Sequence, residues 1–354
     1  MSTKSKAAAA EEKKPITLSS EHVPLSYRIK KDLQRNGMIY AMLIPVLVYY
    51  VIFKFGPMFG LYISFIDYKP ARGIFGSKFV GLKWFKSFFS DYYFGRLLIN
   101  TVRIAVADLL TFPLPVILAL LINELKNKKF SKTAQTLLYV PHFISTVVIC
   151  GIVITLTSST GAITEVLHNF FGIKEQALLN NPSNFLPIYI LTELWQTLGW
   201  NSIIYLSALS GIDQELYDAA KVDGANRWQQ CLHVTLPGIA PTIVIMLILK
   251  MGKIFNVGYE RVMLLYNPAI YNTADVINTY VYRKGLIDAQ FSYSTAVGMF
   301  NCLVSFALVM ITNKISQKVN GSGLWYGGYD HGEYKYQKRT ARHQDQGILR
   351  KPAV

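Results

Sequence analysis

Six long, nearly uncharged runs set the limits on this chain: about residues 38–66, 97–123, 133–157, 185–209, 237–258 and 292–313. A helix needs about 20 apolar residues to cross the hydrocarbon core of a bilayer, and each run reaches that length. A soluble globule of this size has too few charges to clothe itself, because only 16% of the 354 residues are charged, against about 25% in an ordinary soluble protein. Disorder is excluded too, since 51% of the residues are hydrophobic and 13% aromatic, with a mean hydropathy of +0.27. The chain reads as an all-α polytopic membrane protein with six transmembrane helices.

Pro45, Pro57, Pro113 and Pro115 lie within these runs, which membrane helices tolerate when neighbours satisfy the freed carbonyls. Lys54 interrupts the first run and predicts an early end or a bend. Basic residues set the orientation. Residues 1–37, the loop near 124–132, the loop 210–236 and residues 314–354 hold eight, four, two and eight Lys and Arg, 22 on one side. The alternate loops 67–96, 158–184 and 259–291 hold six, one and three. The side with 22 is expected to face the cytoplasm, with both termini inside.

The expected organisation is a basic cytoplasmic tail 1–36, a first transmembrane helix 37–66 and an external loop 67–96. A core of five helices follows over 97–315, with a second cytoplasmic tail at 316–354. In the external loop, aromatics alternate with lysines from Gly81 to Phe94, which suits either an interfacial helix or an aromatic belt. Residues 1–37 are polar and no small-residue cleavage pattern follows the first run, so that run is expected to stay as an anchor. The net charge of +15 gathers in the tails and at the ends of the apolar runs. A nucleic-acid reader carries a basic stripe on a folded face instead.

Catalytic chemistry finds no support. There is no Gly-x4-Gly-Lys-[Ser/Thr] phosphate loop, the six histidines form no metal-binding pair, and Cys150, Cys231 and Cys302 have no disulfide or zinc spacing. The peptide from Leu209 to Gln214 is similar to a signature of transport ATPases, but without a phosphate loop it reads as a helix end capped by Gly211. The loop that follows is more informative. Asp213 suits an N-cap, and Gln214 to Val222 make a short helix with Leu216, Ala219, Ala220 and Asp223 on one face. Two alanines there let another protein approach closely. Gly224 permits a turn out of the helix, and Pro237 suits the first position of the fifth membrane helix.

Asp218-Ala219-Ala220, then Gly224, then Val234-Thr235-Leu236-Pro237 resembles the Glu-Ala-Ala, Gly, Ile-x-Leu-Pro pattern of ABC importer membrane subunits, with its spacing intact. Phe79-Val80-Gly81-Leu82, Asn100-Thr101 and the stretch from Gly211 to Tyr217 look like the carbohydrate-uptake, maltose-permease-like branch. Asn256-Val257-Gly258-Tyr259-Glu260, Asn267-Pro268 and Ser322-Gly323-Leu324-Trp325 are similar to its oligosaccharide and polysaccharide subgroup. The resemblance covers about residues 40–325 and implies a type I ABC importer permease fold. It implies that loop 213–228 is a coupling helix seated on a partner ATPase through Leu216, Asp218, Ala219, Ala220, Asp223, Gly224 and Arg227. ATP and Mg would be bound by two such ATPase subunits and no cofactor by this chain. A second, related permease would complete the pore, and an extracytoplasmic sugar-binding lipoprotein would deliver the substrate.

For the sugar path, aromatic faces and amides suit sugar rings and their hydroxyls. Trp195, Gly199, Trp200 and Asn201 in the fourth run are candidates, with Lys250, Lys253, Asn256 and Tyr259 in and after the fifth; helix packing or an aromatic belt is the competing reading. A cation at mid-bilayer costs about 2.5–3.5 kcal/mol, so Lys250, Lys253 and Arg103 either line a watery path or snorkel to a surface. Lining a path favours an acidic, uronate-containing oligosaccharide, with Lys250 attracting its carboxylate. An ion-coupled secondary transporter is the alternative. It requires an internal repeat, which is not seen, and acidic residues inside the helices, for which Asp108 is the candidate.

Overall fold

The computed structural model describes residues 25–172, 176–256, 258–320, 323 and 324. Most of the two expected tails, and Val257, Ser322 and Trp325 of the quoted peptides, lie outside the described residues. The chain divides into two compact units, Met1–Gly60 and Leu61–Val354.

From Leu25 onward the first unit is one long helical stretch. Its helix Leu25–Tyr50 is kinked at Asn36, where the Asp32 carboxylate accepts from Asn36 Nδ2 at 2.6 Å and from the Tyr40 hydroxyl. These residues stand four apart, so all three meet on one face. At Lys54 the helix widens into a π-turn, Val51–Phe55, rather than ending, and Phe59–Phe65 tightens into a 3-10 helix. Met42, Leu47, Ile52 and Phe53 are all exposed. A helix apolar all round is one that meets lipid.

By length and composition, Asp32–Phe65, Phe94–Asn123, Arg227–Lys253 and Phe291–Lys318 are sufficient to cross a membrane. The third run, expected as one helix over 133–157, is instead broken. Lys128–Phe143 and Thr146–Leu156 meet at 95°. Pro141 removes a donor, Ile144 is extended, and the Ser145 hydroxyl caps a new helix by accepting from the Val148 N–H. The fourth run forms the 29-residue helix Pro182–Ser210, which Glu193, Gln196 and Asn201 make more polar than the four above. Gly211 caps it, but in the right-handed region, so the glycine is not needed for a positive φ.

Pro237 does not begin the fifth helix. Helical structure starts ten residues earlier, at Arg227, behind an Asn226–Gln229 capping box. The π-turn Cys231–Thr235 then leads into Leu236–Lys253. A proline inside a helix strands the carbonyls before it, and the wider turn accommodates the ring. The Thr235 hydroxyl hydrogen-bonds the Gln230 carbonyl at 3.3 Å.

The stretch 259–291, expected as an external loop, folds into short helices that carry much of the core. Val262, Leu265, Ile270, Ile277 and Tyr280 pack with Leu97, Ile104, Phe185 and Val297. Asn100 Nδ2 donates to the carbonyls of Asn272 and Asp275 at 3.0 Å, and Thr101 Oγ1 accepts from the Ile277 N–H at 3.1 Å. The Asn100-Thr101 pair thus ties the second span to this stretch. Buried Asp275 is held by Arg283 at 2.6 Å and Thr279 at 2.8 Å. A two-residue antiparallel pair, Ile66↔Phe79 and Asp67↔Lys78, is the exception to the helical character. Beyond it, the helix Lys83–Phe89 inserts Phe88 against Phe94 and Phe300.

Asp91 joins three parts of this outer region. It accepts from the Tyr280 hydroxyl at 2.6 Å, the Tyr293 hydroxyl at 2.8 Å and the Tyr93 N–H at 2.8 Å. Burial works against its charge, but these hydrogen bonds and Lys284 outweigh burial and hold its pKa below the ordinary carboxylate value. Such a group contributes stability that is complete above its unfolded pKa, about 3.9, and is lost as pH falls through the lower folded value. Asp91→Asn is therefore expected to remove about 1 kcal/mol at neutral pH. The difference from wild type should shrink as pH falls below the ordinary carboxylate value of about 3.9, read as the pH dependence of thermal unfolding in detergent.

Candidate functional site

A cavity of about 460 Å³ lies between the second, fourth and fifth spans. Asp108, Thr111, Glu193, Thr197, Asn201, Lys250, Lys253 and Asn256 supply its polar wall, and Phe112, Tyr189 and Leu249 part of its apolar wall. Its volume falls in the range of about 300–1,000 Å³ usual for ligand sites. The charges are arranged rather than scattered. Lys250 Nζ stands 2.8 Å from Asp108 Oδ1, and Glu193 Oε2 stands 3.5 Å from Arg261 Nη1.

Arg261 is buried behind this wall, and its Nη2 donates to Gln196 Oε1 at 2.6 Å. Gln196 Nε2 in turn donates at 3.0 Å to the carbonyl of Ile144, freed by the bend in the third span. One network therefore holds the bend, the fourth span and the helix Tyr259–Leu265 together. Asn256 Oδ1 faces the amide nitrogens of Asn278 and Asn301, each at 3.4 Å, and among the described residues its own amide nitrogen donates to none.

The residues proposed from sequence divide in two. Asn201, Lys250, Lys253 and Asn256 line the cavity together; Trp195, Gly199, Trp200 and Tyr259 do not. Trp200 stacks on His142 with centroids 4.4 Å apart and planes 6° apart. Trp195 faces an apolar groove with Ile152, Leu167 and Leu191, and Tyr259 meets the Tyr282 ring at 5.9 Å. Arg103 is exposed on the second span, away from the cavity. Gly199 lets the fourth span approach the third, because a Cβ there would come within 2.2 Å of the Leu138 carbonyl oxygen. Gly199→Ala is accordingly expected to cost about 1–3 kcal/mol by overpacking, seen as less monodisperse protein surviving heating in detergent.

Sequence reasoning missed Glu193 and Arg261. The signal for Glu193 was present, since one acid in an apolar run is a functional hypothesis by default. Arg261 was assigned to a loop, where a charge attracts no notice. Asp108 and Glu193 are both acids within membrane helices, and each stands beside a base, Lys250 and Arg261 respectively.

The loop between the fourth and fifth spans has the expected local structure. The Asp213 carboxylate accepts from the Glu215 N–H at 3.0 Å and caps the helix Gln214–Val222. Gly224 adopts φ +79, where a side chain is strained, and donates to the Lys221 carbonyl at 3.0 Å. Leu216, Asp218, Ala219 and Asp223 are exposed, and Ala220 is half-buried. Polar contacts that bind the loop to the membrane helices include Tyr217 to Thr235 at 3.0 Å and Arg227 to Glu124 at 2.7 Å. Trp228 is left exposed beside them.

A set of membrane-spanning helices around a polar, charge-lined cavity, joined by a loop helix with a bare apolar face, defines a transport subunit. The chain belongs to the family of binding-protein-dependent transport system inner membrane components, which matches over residues 111–319. It is similar to the polygalacturonan/rhamnogalacturonan transport system permease protein YteP of Bacillus subtilis (strain 168), 43% identical, with 84% of this chain and 93% of the relative covered. Protein LplB of the same organism is 41% identical, with 83% and 92% covered. A solved bacterial ABC transporter involved in the import of the acidic polysaccharide alginate superposes with a TM-score of 0.76 at 40% identity, covering 83% of this chain and 99% of that one. The chain is thus a non-catalytic permease subunit of an ABC importer with a type I permease fold.

Proposed function

We propose that this permease carries oligosaccharides, acidic uronate-containing ones among them, through the cavity between its second, fourth and fifth spans. The observation that supports this best is the cavity wall itself: charged and amide side chains inside membrane helices, where such groups are costly unless they serve a watery path. The relatives agree in kind, since YteP is named for polygalacturonan/rhamnogalacturonan transport and the solved transporter for import of the acidic polysaccharide alginate.

In this reading loop 213–228 docks the ATPase, with Leu216, Ala219 and Ala220 as the contact and Gly224 setting the exit. Two ATPase subunits bind ATP and Mg, and a second, related permease completes the pore. An extracytoplasmic binding lipoprotein delivers the sugar; a solved relative is in complex with an alginate pentasaccharide-bound periplasmic protein. Both termini lie in the cytoplasm, following the excess of Lys and Arg on that side. The test is to purify the complex from its native membrane, identify the copurifying subunits, and measure ATP-driven uptake of oligosaccharides in proteoliposomes. A complex that binds and imports no oligosaccharide overturns the reading.

A further inference from the structure

We infer that Lys253, rather than Lys250, receives the carboxylate of an acidic sugar. The inference rests on the oligosaccharide reading above and assigns the charge selectivity of that same path.

Four charged side chains line the cavity: Asp108, Glu193, Lys250 and Lys253. Asp108 takes Lys250 at 2.8 Å, and Glu193 is held by Arg261 at 3.5 Å from behind the wall. Lys253 is exposed to the cavity and has no acidic partner among the described residues. Counting Arg261, three cations face two anions, and the uncompensated charge sits at residue 253. A sugar carboxylate arriving at Lys250 must displace the carboxylate of Asp108, exchanging one ion pair for another of the same kind. At Lys253 it forms a new pair and breaks none.

The neighbours suit the rest of a sugar ring. Lys250 and Lys253 are three residues apart and share a helix face, and Asn256 follows in the turn after the helix end. With the carboxylate on Lys253, the unbonded amide nitrogen of Asn256 and the exposed amide of Asn201 are in the same cavity to bond hydroxyls. Lys253 also stands in the last helical turn, where a cation is favoured by the unpaired carbonyls. That role stabilises the protein equally whatever the substrate, so selectivity separates the two.

The experiment uses the whole importer in proteoliposomes with its binding protein. Uptake of a uronate oligosaccharide is compared with uptake of its carboxyl-reduced, neutral counterpart in wild type, Lys253→Met and Lys253→Arg. Lys253→Met is expected to lower the acidic-to-neutral uptake ratio about ten- to a hundredfold, the scale of one charged hydrogen bond, and Lys253→Arg to preserve most of it. A wild type that imports both sugars with a Lys253→Met ratio unchanged overturns the inference alone. Equal loss of both sugars also overturns it, because it marks a helix-end cation. A wild type that imports neither sugar overturns the oligosaccharide reading, and the inference with it.

Discussion

Ala219→Arg in the assembled importer is expected to lower ATP-driven uptake by about two orders of magnitude, the scale of a disrupted interface hot spot. Ala219 is exposed on the helix Gln214–Val222, so an arginine there meets solvent in the isolated chain and leaves the fold intact. On a face that must seat against another protein, the same side chain holds the two surfaces apart. Gly224→Asp should act in the same direction. No atom lies within 4 Å of a Cβ at Gly224, so the cost within the chain is left-handed backbone strain of about 1–2 kcal/mol, confined to an exposed turn. Uptake, basal ATPase rate and copurification of the ATPase should be measured together. Wild-type uptake in both variants would rule out docking by this loop.

Lys250→Met is expected to lose folded protein and uptake of every sugar, and Asp108→Asn to restore much of both when combined with it. Removing one partner of a buried pair costs about 3–5 kcal/mol because the other charge is stranded. Here both side chains keep roughly a quarter of their exposure, which lowers the expected cost to about 2–3 kcal/mol. Neutralising Asp108 as well removes the stranded charge. The readout is a double-mutant cycle on thermal stability in detergent, followed by uptake of neutral and acidic sugars. If Lys250→Met alone were as stable as wild type, the ion pair would not be holding the second and fifth spans together.

Four spans, Asp32–Phe65, Phe94–Asn123, Arg227–Lys253 and Phe291–Lys318, were legible because lipid imposes one demand, about 20 apolar residues. The loop helix was equally legible, since Asp213, the alanines and Gly224 each answer a local need of the backbone. The broken third span could have been anticipated from Pro141 and Ser145, a stop and a cap four residues apart. The stretch 259–291 was not legible. Its apolar residues, such as Val262, Leu265, Ile270 and Ile277, come in pieces too short to signal a span, and only tertiary packing makes them a core. Membership of the cavity was hidden for a different reason. Consecutive helical residues point about 100° apart, so Trp200 turns to His142 while Asn201 turns to the cavity, and nothing local says which.

The run from Arg227 to Lys253 joins the loop that carries the helix Gln214–Val222 to the cavity rim through 27 residues, a rod of about 40 Å. Such a rod is a lever. A tilt of about 10° about its midpoint carries each end by about 3.5 Å, in opposite senses. At Lys250, about 15 Å from the midpoint, the shift is about 2.6 Å, enough to stretch the 2.8 Å contact with Asp108 beyond hydrogen-bonding reach. A small rotation imposed at the Arg227 end is therefore enough to part an ammonium from its carboxylate at the other, so the ion pair can serve as the catch that a stroke of this size releases.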